Sequence, residues 1–327
     1  MKIISKMIAT PAIVLLYPTL LTSIATNLNY TIFVDHGETI NLIDINKPQF
    51  TQAELEEIEE SAKKTTFYLY TRNNPLIGQQ LFIDDLDSVK KSFWNPAHPT
   101  RLVTHGWIGN CEGAACTQIR DAYLNVSDYN VIMIDWREAA KHLYWKSARS
   151  VPFVSQRVAF LIDFLENNAG LDPDRTTVIG YSLGAHVASL SARFATSEIG
   201  EVVALDPAGL AFESEGPGKR VDKSDAVLVQ VIHTCTKILS IKSAIGTSDF
   251  YPNGGEEQPG CGPIRGIGDS EAINCAHSRA FLYYVESIAN PTGFRAGNVF
   301  MGGPSLDPNA HGKYVLQTAS KSPFALG

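Results

Sequence analysis

The sequence predicts an α/β fold, with a mostly parallel central sheet covered by helices on both faces. Two observations predict it. Short, continuous apolar runs alternate with segments of helical period, and one of those runs leads through Gly180-Tyr181-Ser182-Leu183-Gly184 directly into a helical stretch. Runs that are apolar at every position are expected where a parallel sheet is buried on both sides, and strand–helix alternation is how such sheets are connected. In order, the predicted strands are 66–70 (TFYLY), 101–104, 131–134, 177–179, 202–205 and 227–232. Residues 154–168 place Val158, Leu161, Ile162 and Leu165 on one helical stripe, and 183–194 and 277–288 are also read as helices. From Phe300 onward the chain is rich in Gly, Pro and Ser with few apolar runs, so residues 26–327 are read as one domain.

Composition sets the outer limits. The 327 residues are 44% hydrophobic and 19% charged, a globular profile with too little charge and too many large apolar groups for disorder. A net charge of −7 argues against a generally basic, nucleic-acid-binding surface, so no nucleic-acid partner is expected. The first 25 residues stand apart. Lys2 and Lys6 precede an uncharged stretch that is interrupted by Pro11 and Pro18 and ends at Ser23-Ile24-Ala25. Two prolines and a small-residue cleavage site favour a removed secretion signal over a membrane anchor, so a secreted, extracellular protein is expected.

Features further along the chain agree with an oxidising route. Asn29-Tyr30-Thr31 and Asn125-Val126-Ser127 are N-glycosylation sequons. None of the five cysteines forms a Cys-x-x-Cys, and their spacing does not suit zinc. Cys111 with Cys116, and Cys261 with Cys275, are local pairs that disulfides could close, leaving Cys235 as a buried free thiol.

The most informative stretch is 176–188. A serine on a sharp strand-to-helix turn presents its hydroxyl, the glycines on either side let strand and helix approach, and the helix N-terminus favours developing negative charge. Serine needs a base steered by an acid, and on such a fold these follow in the order acid, then histidine. Asp206 ends the strand 202–205, at the carboxyl edge of the sheet; Asp222, Asp225 and Asp249 are alternatives. Among His233, His277 and His311, His233 reads as a structural hydrogen-bonding group and His311 lies in the polar tail. His277 follows Cys275 at the start of a predicted helix, on a loop that a Cys261–Cys275 bridge would hold. Oxyanion donors are expected from the Leu183 amide and from Trp107, in the His105-Gly106-Trp107 turn after the strand 101–104.

With these residues in view, the chain resembles the pancreatic lipase family, most closely its insect neutral lipase and phospholipase A1 branch. The resemblance covers nearly all of the chain after the leader. It rests on 67–71 (FYLYT), 101–107 (RLVTHGW), Ile134-Asp135-Trp136, 180–188, 204–209 (ALDPAG), 249–255 (DFYPNGG) and 275–279 (CAHSR). It implies an α/β-hydrolase fold, Ser182, Asp206 and His277 as a catalytic triad, and Trp107 and Leu183 as the oxyanion hole. The implied activity is carboxylic ester hydrolysis of lipids at a membrane or lipid interface. It also implies a lid, here 262–274, between paired cysteines, and a second framing loop, here 235–248. Both are short beside the family's triglyceride lipases and similar to its phospholipases A1, which favours phospholipase A1 over neutral glyceride hydrolysis. A non-catalytic, yolk-like lipid carrier is the remaining alternative. No C-terminal β-sandwich is present, so no colipase partner is expected. Arg220, Asp222 and Asp225 resemble part of a calcium site, but Pro217 stands where a glutamate is expected, so no metal or cofactor is assigned.

Overall fold

The computed structural model describes residues 30–34 and 40–327. The expected leader, 1–25, and the sequon residue Asn29 lie outside the described residues. An antiparallel pair, β1 (Tyr30–Val34) and β2 (Ile40–Asp44), precedes helix α1 (Gln52–Lys63). The main sheet contains β3 (Thr66–Tyr70), β4 (Gln79–Leu81), β5 (Thr100–Thr104), β6 (Asn130–Asp135), β7 (Thr176–Tyr181), β8 (Glu201–Leu205), β9 (Leu228–Ile232), β10 (Ser248–Pro252) and, after the short hairpin β11 (Arg295–Ala296) and β12 (Val299–Phe300), β13 (Gly312–Leu316). Between them run α2 (Leu86–Lys90), α3 (Ala114–Val126), α4 (Arg137–Ala140), α5 (Tyr144–Ala169), α6 (Leu183–Phe194) and α7 (Ser270–Ala289).

The nine strands are ordered β13-β10-β9-β8-β7-β5-β6-β3-β4. From β13 to β6 every neighbouring pair is parallel, and β3 and β4 add antiparallel pairings at one edge. Alternation along the strands builds two cores. Leu102, Ile132, Val178 and Val202 face α5 and α6, while Val103, Met133, Ile179 and Val203 face α3 and α7. This double burial explains why the central strands are apolar at every position. The order also fixes where chemistry can occur. After β5 the chain places β6 on one side, then returns to place β7 on the other, so β5 and β7 form the switch point where a crevice opens beyond their carboxyl ends.

Three expectations need correction. The helix read from 154 begins at Tyr144 and runs through Pro152, because the apolar stripe Ala148, Val151, Val154 and Val158 is buried against the sheet and holds the proline in place. The helix read from 277 begins at Ser270, so His277 lies about two turns inside it rather than at its start. The polar tail returns to pair β13 with β10 at the sheet edge.

Candidate active site

Ser182 joins β7 to α6 with φ 58° and ψ −122°, a strained conformation for a residue bearing a side chain. Its neighbours explain how the turn closes. A Cβ on Gly180 would lie 2.1 Å from the Gly184 carbonyl oxygen, and one on Gly184 would lie 2.2 Å from the His105 carbonyl oxygen. Backbone packs directly on backbone at both positions, so the two flanking glycines are a steric requirement of the turn. The Ser182 amide donates to the Leu205 carbonyl (2.9 Å), which places the end of β8 beside the serine.

Asp206 follows immediately, fully buried, with φ 46°. Its two oxygens are used differently. Oδ1 accepts from the Thr234 amide (2.6 Å), the Cys235 amide (3.0 Å) and the Ser240 hydroxyl (2.7 Å), while Oδ2 accepts from His277 Nδ1 (2.5 Å). Three donors on one oxygen fix the carboxylate in orientation, and the fourth bond sets the histidine tautomer. The Tyr181 ring packs on the imidazole with centroids 4.6 Å apart. His277 Nε2 is buried without a hydrogen-bond partner among the described residues, and no hydrogen bond joins it to Ser182 Oγ. The structure therefore brings the acid–histidine half of the predicted trio into contact, with the serine on the adjoining strand end.

A second buried Asp–His pair shows what tertiary structure selects. His233 Nε2 and Asp249 Oδ1 are 2.9 Å apart, but Nδ1 is occupied by the Ile241 carbonyl and the ring is stacked on Tyr251. This pair is a brace between loops, as expected for His233. His311 is exposed and bonds only to its own turn.

The opposite wall is the turn after β5. A Cβ on Gly106 would fall 2.9 Å from the Ser182 Cβ, so this glycine lets the turn approach the serine. His105 Nδ1 donates to the Gly106 carbonyl, Nε2 accepts from the Trp136 amide (3.1 Å), and the two rings stack. Trp107 is held by its indole N–H on the His142 carbonyl (2.8 Å) and by edge contact with Tyr144. Leu183 is the first residue of α6, where backbone amides have no intrahelical acceptor.

A family model described as Lipase matches residues 29–299. The chain belongs to the pancreatic lipase family. Pancreatic triacylglycerol lipase of Myocastor coypus is 34% identical over 250 residues, covering 72% of this chain and 54% of that protein. Pancreatic lipase-related protein 2 of Bos taurus is 36% identical over 244 residues (70% and 52%), and inactive pancreatic lipase-related protein 1 of Homo sapiens is 35% identical over 248 residues (71% and 53%). The chain thus spans about half the length of the relatives it matches. No helix among the described residues is long and apolar enough to cross a membrane.

Around this lipase-family site, Cys261 and Cys275 are bonded as expected, and Cys235 is a buried free thiol. The Cys111–Cys116 pairing is corrected: both are separate thiols. The Cys111 sulfur faces Arg137 Nη2 at 3.9 Å, whereas Cys116 is packed in the first turns of α3. Burial pushes the Cys111 thiol up to about 12 and raises Cys116 as well, leaving little thiolate to start exchange. The resemblance to a calcium site is not matched by free ligands. Asp225 Oδ2 accepts from Ser189 and from the Asp222 amide, Oδ1 faces Arg193 at 3.1 Å, and the Arg220 guanidinium bonds to the Glu215 carbonyl. A guanidinium on the carboxylate does not fit a cation site. Asn125 is exposed at the end of α3.

Sequence reasoning missed several supporting groups. Thr234, Cys235 and Ser240 orient Asp206 from 28 to 34 residues away, and no local pattern announces them. His186, on α6, is another. Val221 N–H donates to its Nδ1, so its Nε2–H donates to the Ala208 carbonyl (2.8 Å), tying α6 to the Asp206 loop. Burial pushes this imidazole down from its ordinary 6.5 to about 3. The folded state then holds the neutral form, so its contribution is complete above about pH 6.5 and is lost as pH falls toward 3. The unfolding free energy from denaturant titrations is expected to fall across that window by up to about 1.4 kcal/mol per pH unit from this group. His186→Gln should flatten the slope; an unchanged slope would remove His186 as its source.

Proposed function

We propose that this chain is a secreted serine hydrolase of lipid acyl esters, with Ser182, His277 and Asp206 as its triad. The observation that carries this reading is the His277–Asp206 bond, anchored by three further donors, beside a serine at a strained strand-to-helix turn. Rotation of the Ser182 hydroxyl toward the unpartnered His277 Nε2 completes the relay, and such bonds are often long or unmade without substrate. Ser182 Oγ attacks the ester carbonyl as Nε2 takes its proton. The imidazolium is stabilised through Nδ1–H by Asp206, and the oxyanion accepts from the Leu183 and Trp107 amides. Collapse passes the proton to the leaving alcohol, and water repeats the sequence on the acyl-enzyme. One relative is named inactive, so the activity rests on these groups and not on family membership.

We favour phospholipids, cleaved at the sn-1 ester. The lid 262–274 is short, and two of its three large apolar residues, Ile264 and Ile273, face inward, so it offers little apolar surface to an oil phase. Neutral glyceride hydrolysis is the second reading, favoured by the relative named a triacylglycerol lipase. Rates on dispersed phosphatidylcholine and on a triglyceride, measured side by side, separate them. The expected kcat/KM ratio favours phosphatidylcholine by about tenfold or more, corresponding to ~1.4 kcal/mol in the transition state. A preference for triglyceride overturns the phospholipase reading. In the same reading the leader 1–25 is removed on secretion, and Asn29 and Asn125 carry glycans.

A further inference from the structure

The end of the sheet opposite Ser182 holds a cavity of about 320 Å³. Three connections line it: the chain leaving β3, which is antiparallel and so ends at this edge, the chain entering β5, and the chain between α3 and β6. Its side chains are of two kinds. Trp94 is fixed by its indole N–H on the Ala169 carbonyl (2.9 Å), and the neighbouring Phe93 is 47% exposed, so aromatic surface is left open. Polar groups beside it are uncommitted. Tyr129 is only 8% exposed, yet its hydroxyl makes no hydrogen bond among the described residues, and neither does the exposed side-chain amide of Asn73. Aromatic faces next to free hydroxyl and amide groups suit a sugar ring, which packs its C–H face on the first and exchanges hydrogen bonds with the second. The sequon Asn125-Val126-Ser127 adjoins this cavity through one side chain. Arg72 lines the cavity and donates from Nε to the Leu124 carbonyl (2.7 Å) and from Nη2 to the Asn125 carbonyl (3.1 Å), while Nη1 faces Asp128 at 3.6 Å. Asn125 itself is exposed in the last turn of α3. A free sugar would gain little here, because each hydrogen bond it makes replaces one to water. A sugar tethered to Asn125 meets the cavity at an effective concentration on the order of millimolar, so contacts too weak to retain free saccharide are enough to seat it.

We propose that this cavity seats the first, acetamide-bearing sugars of an N-linked glycan on Asn125, which makes the glycan a packed part of the fold at the amino edge of the sheet. This rests on the secreted, glycosylated reading above and not on the triad. The full chain secreted from a eukaryotic host is the material for the test. Mass analysis of its tryptic peptide 121–137 is expected to show the glycan; an unmodified peptide overturns the proposal. Hydrogen exchange then reports where the sugar lies. Amides of 71–74, 92–98 and 128–129 should exchange about tenfold or more slowly in the glycosylated protein than after enzymatic removal of the glycan from the folded chain. Equal exchange in the two forms places the glycan in solvent and overturns the seat. Coupling gives a second readout. Asn73→Ala and Phe93→Ala should each lower the thermal midpoint of the glycosylated chain by about 2 °C, and by less than half as much in the Asn125→Gln background. The same shift in both backgrounds overturns the proposal. If Asn125→Gln is not secreted, the enzymatically deglycosylated protein takes its place in the cycle. Ester turnover should be unchanged throughout, because none of these residues lies at the catalytic end of the sheet. A failed seat therefore leaves the hydrolase reading standing, and an inactive protein leaves the seat open to every one of these measurements.

Discussion

Ser182→Ala is expected to abolish ester turnover, with a fall in kcat on the order of 10⁵- to 10⁶-fold, the scale seen when a triad nucleophile is removed. The fold should survive. Ser182 makes no side-chain hydrogen bond among the described residues, and alanine retains the Cβ that already fits beside Gly106. The Ser182→Ala protein should therefore keep the wild-type thermal midpoint and lose covalent labelling by an active-site phosphonate. If the purified variant still hydrolyses ester at more than about a hundredth of the wild-type rate, Ser182 is not the nucleophile. Labelling lost together with the fold would show a structural serine.

Asp206→Asn should cost about 10⁴-fold in kcat, for a reason visible in the hydrogen bonds. Three donors converge on Oδ1, so the asparagine must leave its carbonyl oxygen there and turn its NH₂ toward His277. Two donors then face each other across the 2.5 Å contact, and the imidazole escapes the clash by moving its proton to Nε2. That nitrogen can no longer accept from Ser182. Substrate affinity should change little, because Asp206 is fully buried and does not reach the substrate. A loss of less than tenfold in kcat would transfer the acid role elsewhere. The buried Asp249 already serves His233 and two loop amides, so Asp249→Asn is expected to lower stability instead of acting through the chemistry.

How far the sequence could be read depends on how local each determinant is. The elbow around Ser182 was legible because its requirements are contiguous: an apolar strand, two glycines that permit backbone contact, and a helix. Asp206 was legible for a similar reason, standing where an apolar strand stops. Helix α1 is also locally encoded: Thr51-x-x-Glu54 forms a capping box, with the Glu54 amide on Thr51 Oγ1 and the Thr51 amide on Glu54 Oε2. The start of α7 was missed because Ala272, Ile273 and Ala276 are apolar for the sake of a satellite core around Cys235, which no periodicity within the helix reveals. The proposed Cys111–Cys116 bridge failed because spacing along the chain does not report direction, and the two thiols serve different surroundings.

The sequence alone thus determined the kind of fold, the strained serine and the carboxylate at the strand end, since each is written in neighbouring residues. Tertiary structure decided which of two buried Asp–His pairs adjoins that serine, which cysteines are bonded, and that residues 270–274 share a helix with His277. Those choices depend on contacts between residues tens of positions apart, whose geometry exists only once the sheet and its two layers of helices have packed.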